Sequence, residues 1–419
     1  MKRGLKLSID DVKPKQENAL DLFYSGIKAE QTKEAMDRML KHFLVDVCAD
    51  LFQGDYKERA QKFVDLARAD QEKTVNIVLA YVRKLRDRTM LDKADPDYLN
   101  PSTLPNKIKP IKKLVEMNGL GLGWKRIYST YPEKDNIHEG RGYTREEIKK
   151  MLEYSSDITT DFIILAMSSG GFRLGAWNGL TWGCIFPVYQ VNGKYKIEAE
   201  NPSSGKIVCG GITIYKGTPE KYVALVSIEA WNKLQEYRKI WITKMKRDPT
   251  ESDPLLLERD AVPKAMTDIA IKRRIQEILF KSGIRGPLTE GKRRHEIPEM
   301  NGFRRYWDKV MMESIKNKES LSALVKKERL MGHYGLVKTD KNYFWINKVE
   351  LVPEYLEAMP ELMIGDESRL QKKLEDEKAR SDMLSKQAEQ NKKSMERISE
   401  LEAKVERLTK YQRISNPQP

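Results

Sequence analysis

Between residues 17 and 130 apolar side chains recur every three or four positions, which is the spacing of one face of an α-helix. Met36, Met39, Leu40, Phe43, Leu44 and Val47 form one such stripe, and Thr32, with Ala35 three positions on, is its expected N-cap. Phe63, Leu66 and Ala67 form a second stripe. Val75, Val78, Leu79, Val82 and Leu85 form a third, with Lys73, Arg83, Lys84 and Arg86 on its polar side. Asn100-Pro101-Ser102 and Leu104-Pro105 are expected to break the helical run. It resumes from Lys107 to Leu114, where Lys107, Lys109, Lys112 and Lys113 make a basic helix with an apolar side. A compact helical module over 15–130 is predicted.

Pro132, Asn136, Gly140 and Gly142 punctuate the charged stretch from Tyr128 to Gly142, so a linker is drawn at 131–142. Thr144-Arg145-Glu146-Glu147 opens a new helix with a capping-box pattern, and an apolar helix from Phe162 to Ser168 runs into Gly170-Gly171. From about 183 to 227 the texture changes: Val188-Tyr189-Gln190-Val191, Tyr195-Lys196-Ile197 and Ile212-Thr213-Ile214-Tyr215 alternate or are β-branched. With turns at Asn192-Gly193 and Gly217-Thr218-Pro219, they predict a small antiparallel sheet. Helices are expected again from Pro254 to about Met363, closing a second domain over 143–365. The tail, 366–411, holds neither Gly nor Pro; Ile398, Leu401, Val405 and Leu408 alternate three and four apart, as a coiled-coil seam requires. Leu370, Leu374 and Leu384 extend the seam poorly, and Asn391 and Ser394 fall on it. Self-association through the tail and a solvated single helix are both open.

Charge sharpens the picture. The 419 residues carry 76 Lys and Arg against 62 Asp and Glu, a net charge of +14, and 40% are hydrophobic, enough for a buried core. A pI near 9.3 points to a polyanionic partner. Mean hydropathy is −0.64, no apolar run approaches a membrane span, and no apolar signal-peptide core follows Met1-Lys2-Arg3-Gly4. Cys48, Cys184 and Cys209 are too widely spaced for a disulfide framework or a Cys-rich zinc site, and the four histidines are scattered, so no metal is expected.

Three segments could carry chemistry. Ser168-Ser169-Gly170-Gly171-Phe172-Arg173 sets an arginine at a helix junction, where its planar fork can clamp a phosphate. Met300-Asn301-Gly302-Phe303-Arg304-Arg305 supplies a second arginine. Arg329-Leu330-Met331-Gly332-His333-Tyr334 is followed by Lys341-Asn342-Tyr343-Phe344. Arg173 and Arg304 could stabilise the charge of a phosphorane, His333 could donate to the phosphate, and Tyr343 could be a covalent nucleophile. Each has a plainer reading: a surface arginine in a turn, a helix-terminal histidine, one of 18 tyrosines.

The order of these segments, with the small sheet between them, resembles that of tyrosine recombinases of the lambda-integrase type. The strings Gly302-Phe303-Arg304-Arg305 and Leu330-Met331-Gly332-His333, and Asn118-Gly119 through Trp124-Lys125-Arg126-Ile127, look most like archaeal integrases. The resemblance covers roughly 15–365. It implies a mainly α (α+β) fold: a helical core-binding, SAM-like domain followed by a mostly helical catalytic domain with a small antiparallel sheet, closing as a C-shaped clamp on double-stranded DNA. It implies catalytic roles for Arg173, Lys216, Asn301, Arg304, His333 and Tyr343, with Lys216 as the hairpin lysine that protonates the 5′-oxygen and Lys221 as its competitor. It implies DNA contacts from the basic helix and from Lys125 and Arg126, no cofactor, a homotetramer on DNA, and a cytoplasmic, nucleoid-associated protein of a mobile element.

Two positions depart from the family pattern. Asn301 stands where His is usual; it can hydrogen-bond a phosphate but cannot act as a base, and His295 is six residues earlier. Ala176 stands where an acidic residue often follows the first arginine by three. The expected activity is site-specific DNA cleavage and rejoining through a 3′-phosphotyrosine and a Holliday junction. The competing readings are relaxation of DNA in the manner of a type IB topoisomerase, and a catalytically weak architectural DNA-binding protein with a coiled-coil tail.

Overall fold

The computed structural model describes residues 17–133, 140–197, 205–258, 263–288, 295–315, 320–333 and 347–415. The chain divides into two compact units, and the boundary falls between Glu139 and Gly140.

The first unit is helical: α1 (Ala19–Ser25), α2 (Glu30–Lys41), α3 (Tyr56–Ala69), α4 (Gln71–Thr89), α5 (Leu104–Met117) and the short α6 (Trp124–Tyr128). α2 begins before Thr32, with Ala29 at its N-cap, so Thr32 is not a cap; Glu30 in the first turn suits the positive end of the helix. α2 runs on into a π-helical turn, His42–Val47, which turns Phe43 and Leu44 into the core. There Phe43 and Phe52 meet the Phe63 ring edge-on, with centroids 5.6 and 5.9 Å away. Leu104-Pro105 starts α5 instead of breaking the chain, because a first-turn proline forfeits only an N–H that has no helical partner. Buried Asn118 ties the end of α5 to α1 by donating to the carbonyls of Ala19 (3.1 Å) and Leu114 (2.8 Å).

The second unit opens with α7 (Arg145–Glu153), whose capping box uses Thr144 and Glu147, and α8 (Ile158–Gly170). Every residue of α8 from Phe162 to Gly170 is buried, so it is hydrophobic all round, as a central helix must be. The sheet follows: β1 (Ile185–Val191), β2 (Lys194–Lys196), β3 (Lys206–Ile214) and β4 (Tyr222–Val226), antiparallel in the order β2-β1-β3-β4. Helix returns at once, not at Pro254. α9 (Ile228–Met245) is capped by Ser227 and buries Ala230, Trp231, Leu234, Tyr237 and Trp241. The stretch around Pro254 instead makes two isolated bridges, Thr181 with Pro254 and Leu257 with Ala265. α10 (Asp268–Lys281), α11 (Glu299–Ser314), α12 (Leu321–Leu330) and α13 (Val352–Leu362) complete the body, and α14 (Asp366–Ser415) is a single 50-residue helix. No helix among the described residues is long and apolar enough to cross a membrane.

Candidate active site

Two glycine-capped helix ends and one buried arginine define the site. α8 ends in Gly171, which takes the left-handed conformation (φ 61°) and closes its N–H onto the Met167 carbonyl at 3.1 Å. A Cβ there would stand 2.6 Å from the Trp307 ring, so only glycine fits. The turn presents the Gly171 carbonyl to Arg304, whose Nη1 donates to it at 2.7 Å.

α12 ends in the same way. Gly332 has φ 69°; its N–H meets the Arg329 carbonyl and that of His333 meets the Glu328 carbonyl, both at 2.9 Å, the paired bonds of a Schellman turn. The turn offers the Met331 carbonyl to Arg304 Nη2 at 2.7 Å and folds the His333 ring back over α12. His333 Nε2 lies 2.8 Å from Arg304 Nη2, and Nδ1 lies 2.7 Å from Glu328 Oε2. A guanidinium can only donate, so its partners assign Nε2 as acceptor and the imidazole proton to Nδ1, facing Glu328.

Charges alternate behind this histidine. Burial opposes ionisation of Glu328, but hydrogen bonds from His333 and Lys327 outweigh it and hold the carboxyl below its ordinary range. Lys327 is buried, paired with Asp308 and, at 3.1 Å, with Glu328. Asp308 lies one turn after Arg304 on α11.

Arg304 is 8% exposed, and burial, followed by the nearby Arg173, pulls its pKa down from the ordinary arginine value. Arg173 caps the short 3₁₀ turn Leu174–Gly179; it is exposed, and among the described residues no hydrogen bond or ion pair engages its guanidinium. Tyr222, on β4, is neighbour to both arginines. Burial pushes its phenol up to about 12 against their opposing pull, and its hydroxyl makes no hydrogen bond of normal geometry among the described residues. Two clustered guanidiniums, one of them uncommitted, make a place for an anion.

Lys216 lies in the turn after β3 and donates to the Gly183 carbonyl at 2.9 Å. Its neighbour Tyr215 packs edge-on to Tyr222, with centroids 6.1 Å apart. Lys221 ends the same turn, and Lys348 is close enough to both lysines to feel them: its pKa is pulled down by burial first, then by Lys221 and Lys216. Asn301 is exposed on α11 one turn before Arg304, and no hydrogen bond of its amide is found among the described residues. Ala176 is buried in the core. His295 precedes α11 and has Arg285 and Glu299 as its charged neighbours. Tyr343 and Tyr334 lie outside the described residues. Arg173, Arg304 and His333, drawn from three distant segments, are therefore brought together.

In the first unit, Lys109, Lys125 and Arg126 are exposed, while Lys107, Lys112 and Lys113 are half-buried. Lys112 pairs with Glu116 at 3.6 Å and sits over the rings of Trp124 and Tyr128, 5.7 and 5.2 Å from their centroids.

The sequence reading missed Glu328, Lys327, Asp308, Tyr222 and Lys348. A signal for Glu328 was present: in a Gly-His turn closing a helix, the residue five before the histidine is the one whose carbonyl the turn reaches. Nothing local marked Tyr222.

No family model and no curated protein matches the chain. Among solved structures, a XerA recombinase is similar at 14% identity and TM-score 0.33, over 76% of this chain and 96% of that one. The XerH site-specific recombinase bound to a palindromic difH substrate, in a post-cleavage complex, gives 14% and 0.40 over 75% and 74%. The Tn1549 transposon integrase in complex with transposon right end DNA gives 11% and 0.38 over 80% and 97%. At such identities each residue's role has to be argued from its own surroundings.

Proposed function

We propose that the chain is a tyrosine recombinase that cleaves and rejoins double-stranded DNA. The observation that carries the reading is the meeting of Arg173, Arg304 and His333, with one guanidinium buried and anchored and the other open. In the reaction, the Tyr343 oxygen attacks phosphorus and forms a 3′-phosphotyrosine while the bond to the 5′-oxygen breaks. The leaving oxygen takes a proton, for which Lys216 is the assigned donor and Lys221 its competitor. The arginines stabilise the extra negative charge of the phosphorane. Arg304, fixed by two carbonyls and His333, needs little reorganisation to do so. His333 Nε2, which accepts from Arg304 here, would have to turn or gain a proton to donate to phosphate. Asn301 supplies at most a hydrogen bond. Residues 15–130 are the core-binding domain in this reading, and Lys107, Lys109, Lys112, Lys113, Lys125 and Arg126 hold the backbone of the duplex, with affinity that falls steeply with salt. Four protomers on two duplexes, exchanging strands through a Holliday junction, complete the reaction.

A suicide DNA substrate tests the reading. A covalent adduct is expected, absent in Tyr343→Phe and in Arg173→Ala while both variants still bind DNA. Binding without an adduct in the unaltered protein would instead favour an architectural role. Joining of two different duplexes separates recombination from simple relaxation.

A further inference from the structure

The C-terminal helix carries a second, independent message. Its base is tied to the body of its own unit. Arg145 and Lys149 on α7 bind Asp366 (Lys149 at 2.6 Å), Glu361 takes Arg369 and Lys373, and Lys206 on β3 reaches Glu375 at 2.7 Å. From Glu375 to Asn391 the helix runs on for about 24 Å at the usual rise per residue. There the pattern changes. Ile398 and Leu401 are 51% and 56% exposed, on a helix whose other surface is charged.

The identity of the residues along this seam decides what covers it. Read as heptads from Asn391, the a positions are Asn391, Ile398 and Val405, and the d positions are Ser394, Leu401 and Leu408. Branched residues at a with leucine at d fit the holes of a parallel pair of helices better than those of three or four, and a single asparagine at a fixes register and number. The flanking charges select direction. Arg397 falls at g and Glu402 at the following e. In a parallel pair Arg397 of each helix meets Glu402 of the other, twice by symmetry. In an antiparallel pair g faces g, so Arg397 and Lys404 would meet cations. Lys393 and Glu389 pair along their own helix at 2.8 Å, on the c and f positions that such a dimer leaves in water.

We infer that residues 391–411 form a parallel, in-register, two-stranded coiled coil with the same segment of a second copy. Three heptads are near the lower limit for a stable helix pair, so the contact is reversible in the free protein and is reinforced wherever two copies are already held close. It pairs protomers whether or not the chain cleaves DNA.

Cysteine cross-linking of the full-length protein without DNA tests this. The three native cysteines are buried, which keeps the background low. Under mild oxidation Ser394→Cys, at a d position, is expected to form a disulfide-linked dimer in roughly tenfold higher yield than Glu396→Cys on the outer f position, because the seam raises the effective concentration. Adding Ile398→Lys and Leu401→Lys to Ser394→Cys should abolish the excess, while circular dichroism reports an unchanged body. Sedimentation of the unaltered protein at increasing concentration should move from one mass to twice that mass. Equal yields at 394 and 396, a cross-link that survives the lysine substitutions, a trimer, or a single species that never gains mass would each overturn the proposal.

Discussion

The surroundings of Arg304 and the outer half of the C-terminal helix break the usual burial rule in opposite directions. Around Arg304, charged groups are buried: Lys327 is 5% exposed and Arg304 8%, yet each has partners inside the unit. Along 391–405, apolar side chains lie exposed and the polar ones face water as they should. Buried charges that are paired and hydrogen-bonded make a rigid, high-stakes network, because removing one member strands the others in a poor solvent. An exposed stripe costs the monomer little and is completed only by association. The first region is finished within one chain; the second leaves its apolar stripe exposed on it.

That contrast can be broken at several points. The largest effect is expected for Arg304→Ala, which leaves the Gly171 and Met331 carbonyls and the His333 ring without their donor and removes a cation near Asp308; a loss of about 3 kcal/mol or more in urea unfolding should accompany loss of the proposed DNA cleavage. Gly332→Ala comes next, at roughly 2–3 kcal/mol, from the left-handed backbone and the collision with Tyr222; an unchanged unfolding midpoint would show that the turn can relax. Glu328→Gln should cost about 1 kcal/mol by weakening a charge-assisted hydrogen bond to His333. It should also slow the proposed DNA cleavage at fixed pH, because the imidazole loses the partner that fixes its tautomer. A purely structural role would lower stability and leave the rate of the folded fraction alone.

Smaller effects sharpen the tail side of the comparison. Lys149 and Arg145 hold the Asp366 carboxyl down at about 2, below its ordinary value of 3.8. A depressed carboxylate stabilises the fold above its unfolded pKa, and the contribution is lost as pH falls from about 4 through about 2. Amide-exchange protection at the base of α14, taken relative to the intrinsic exchange rate at each pH, should therefore fall over that range, and in Asp366→Asn it should already be low at neutral pH. The smallest change is expected for Leu401→Lys. Monomer stability should stay within about 0.5 kcal/mol of the parent, since the side chain is exposed, and only self-association should respond.

Much of this was legible in the linear pattern, and what was not has a physical reason. Helical stripes such as Val75, Val78, Leu79, Val82 and Leu85 are buried as their spacing predicts, because one face of a helix is set by residues three and four apart. The Gly170-Gly171 and Gly332-His333 ends could be read because left-handed caps demand glycine. Local signals misled where two outcomes share one cue. Pro105 can stop a helix or start one, and Thr32 is a good cap in a place where the helix had already begun. The helix Ile228–Met245 escaped notice because its aromatic-rich face looks much like the strand before it.

What the sequence determined by itself was the supply: most of the helical stripes, the glycines that close two of the helices, the excess of positive charge, and an apolar seam near the end of the tail. Only the tertiary structure decided that Arg304 would share its surroundings with Arg173 and Tyr222, that Glu328 would orient His333, and that Lys327 and Asp308 would stand behind them. Periodicity and capping act over a few residues and are written locally. Desolvation and charge pairing act between segments more than a hundred residues apart (Gly171 and Arg304 among them) and exist only once packing has excluded water between them.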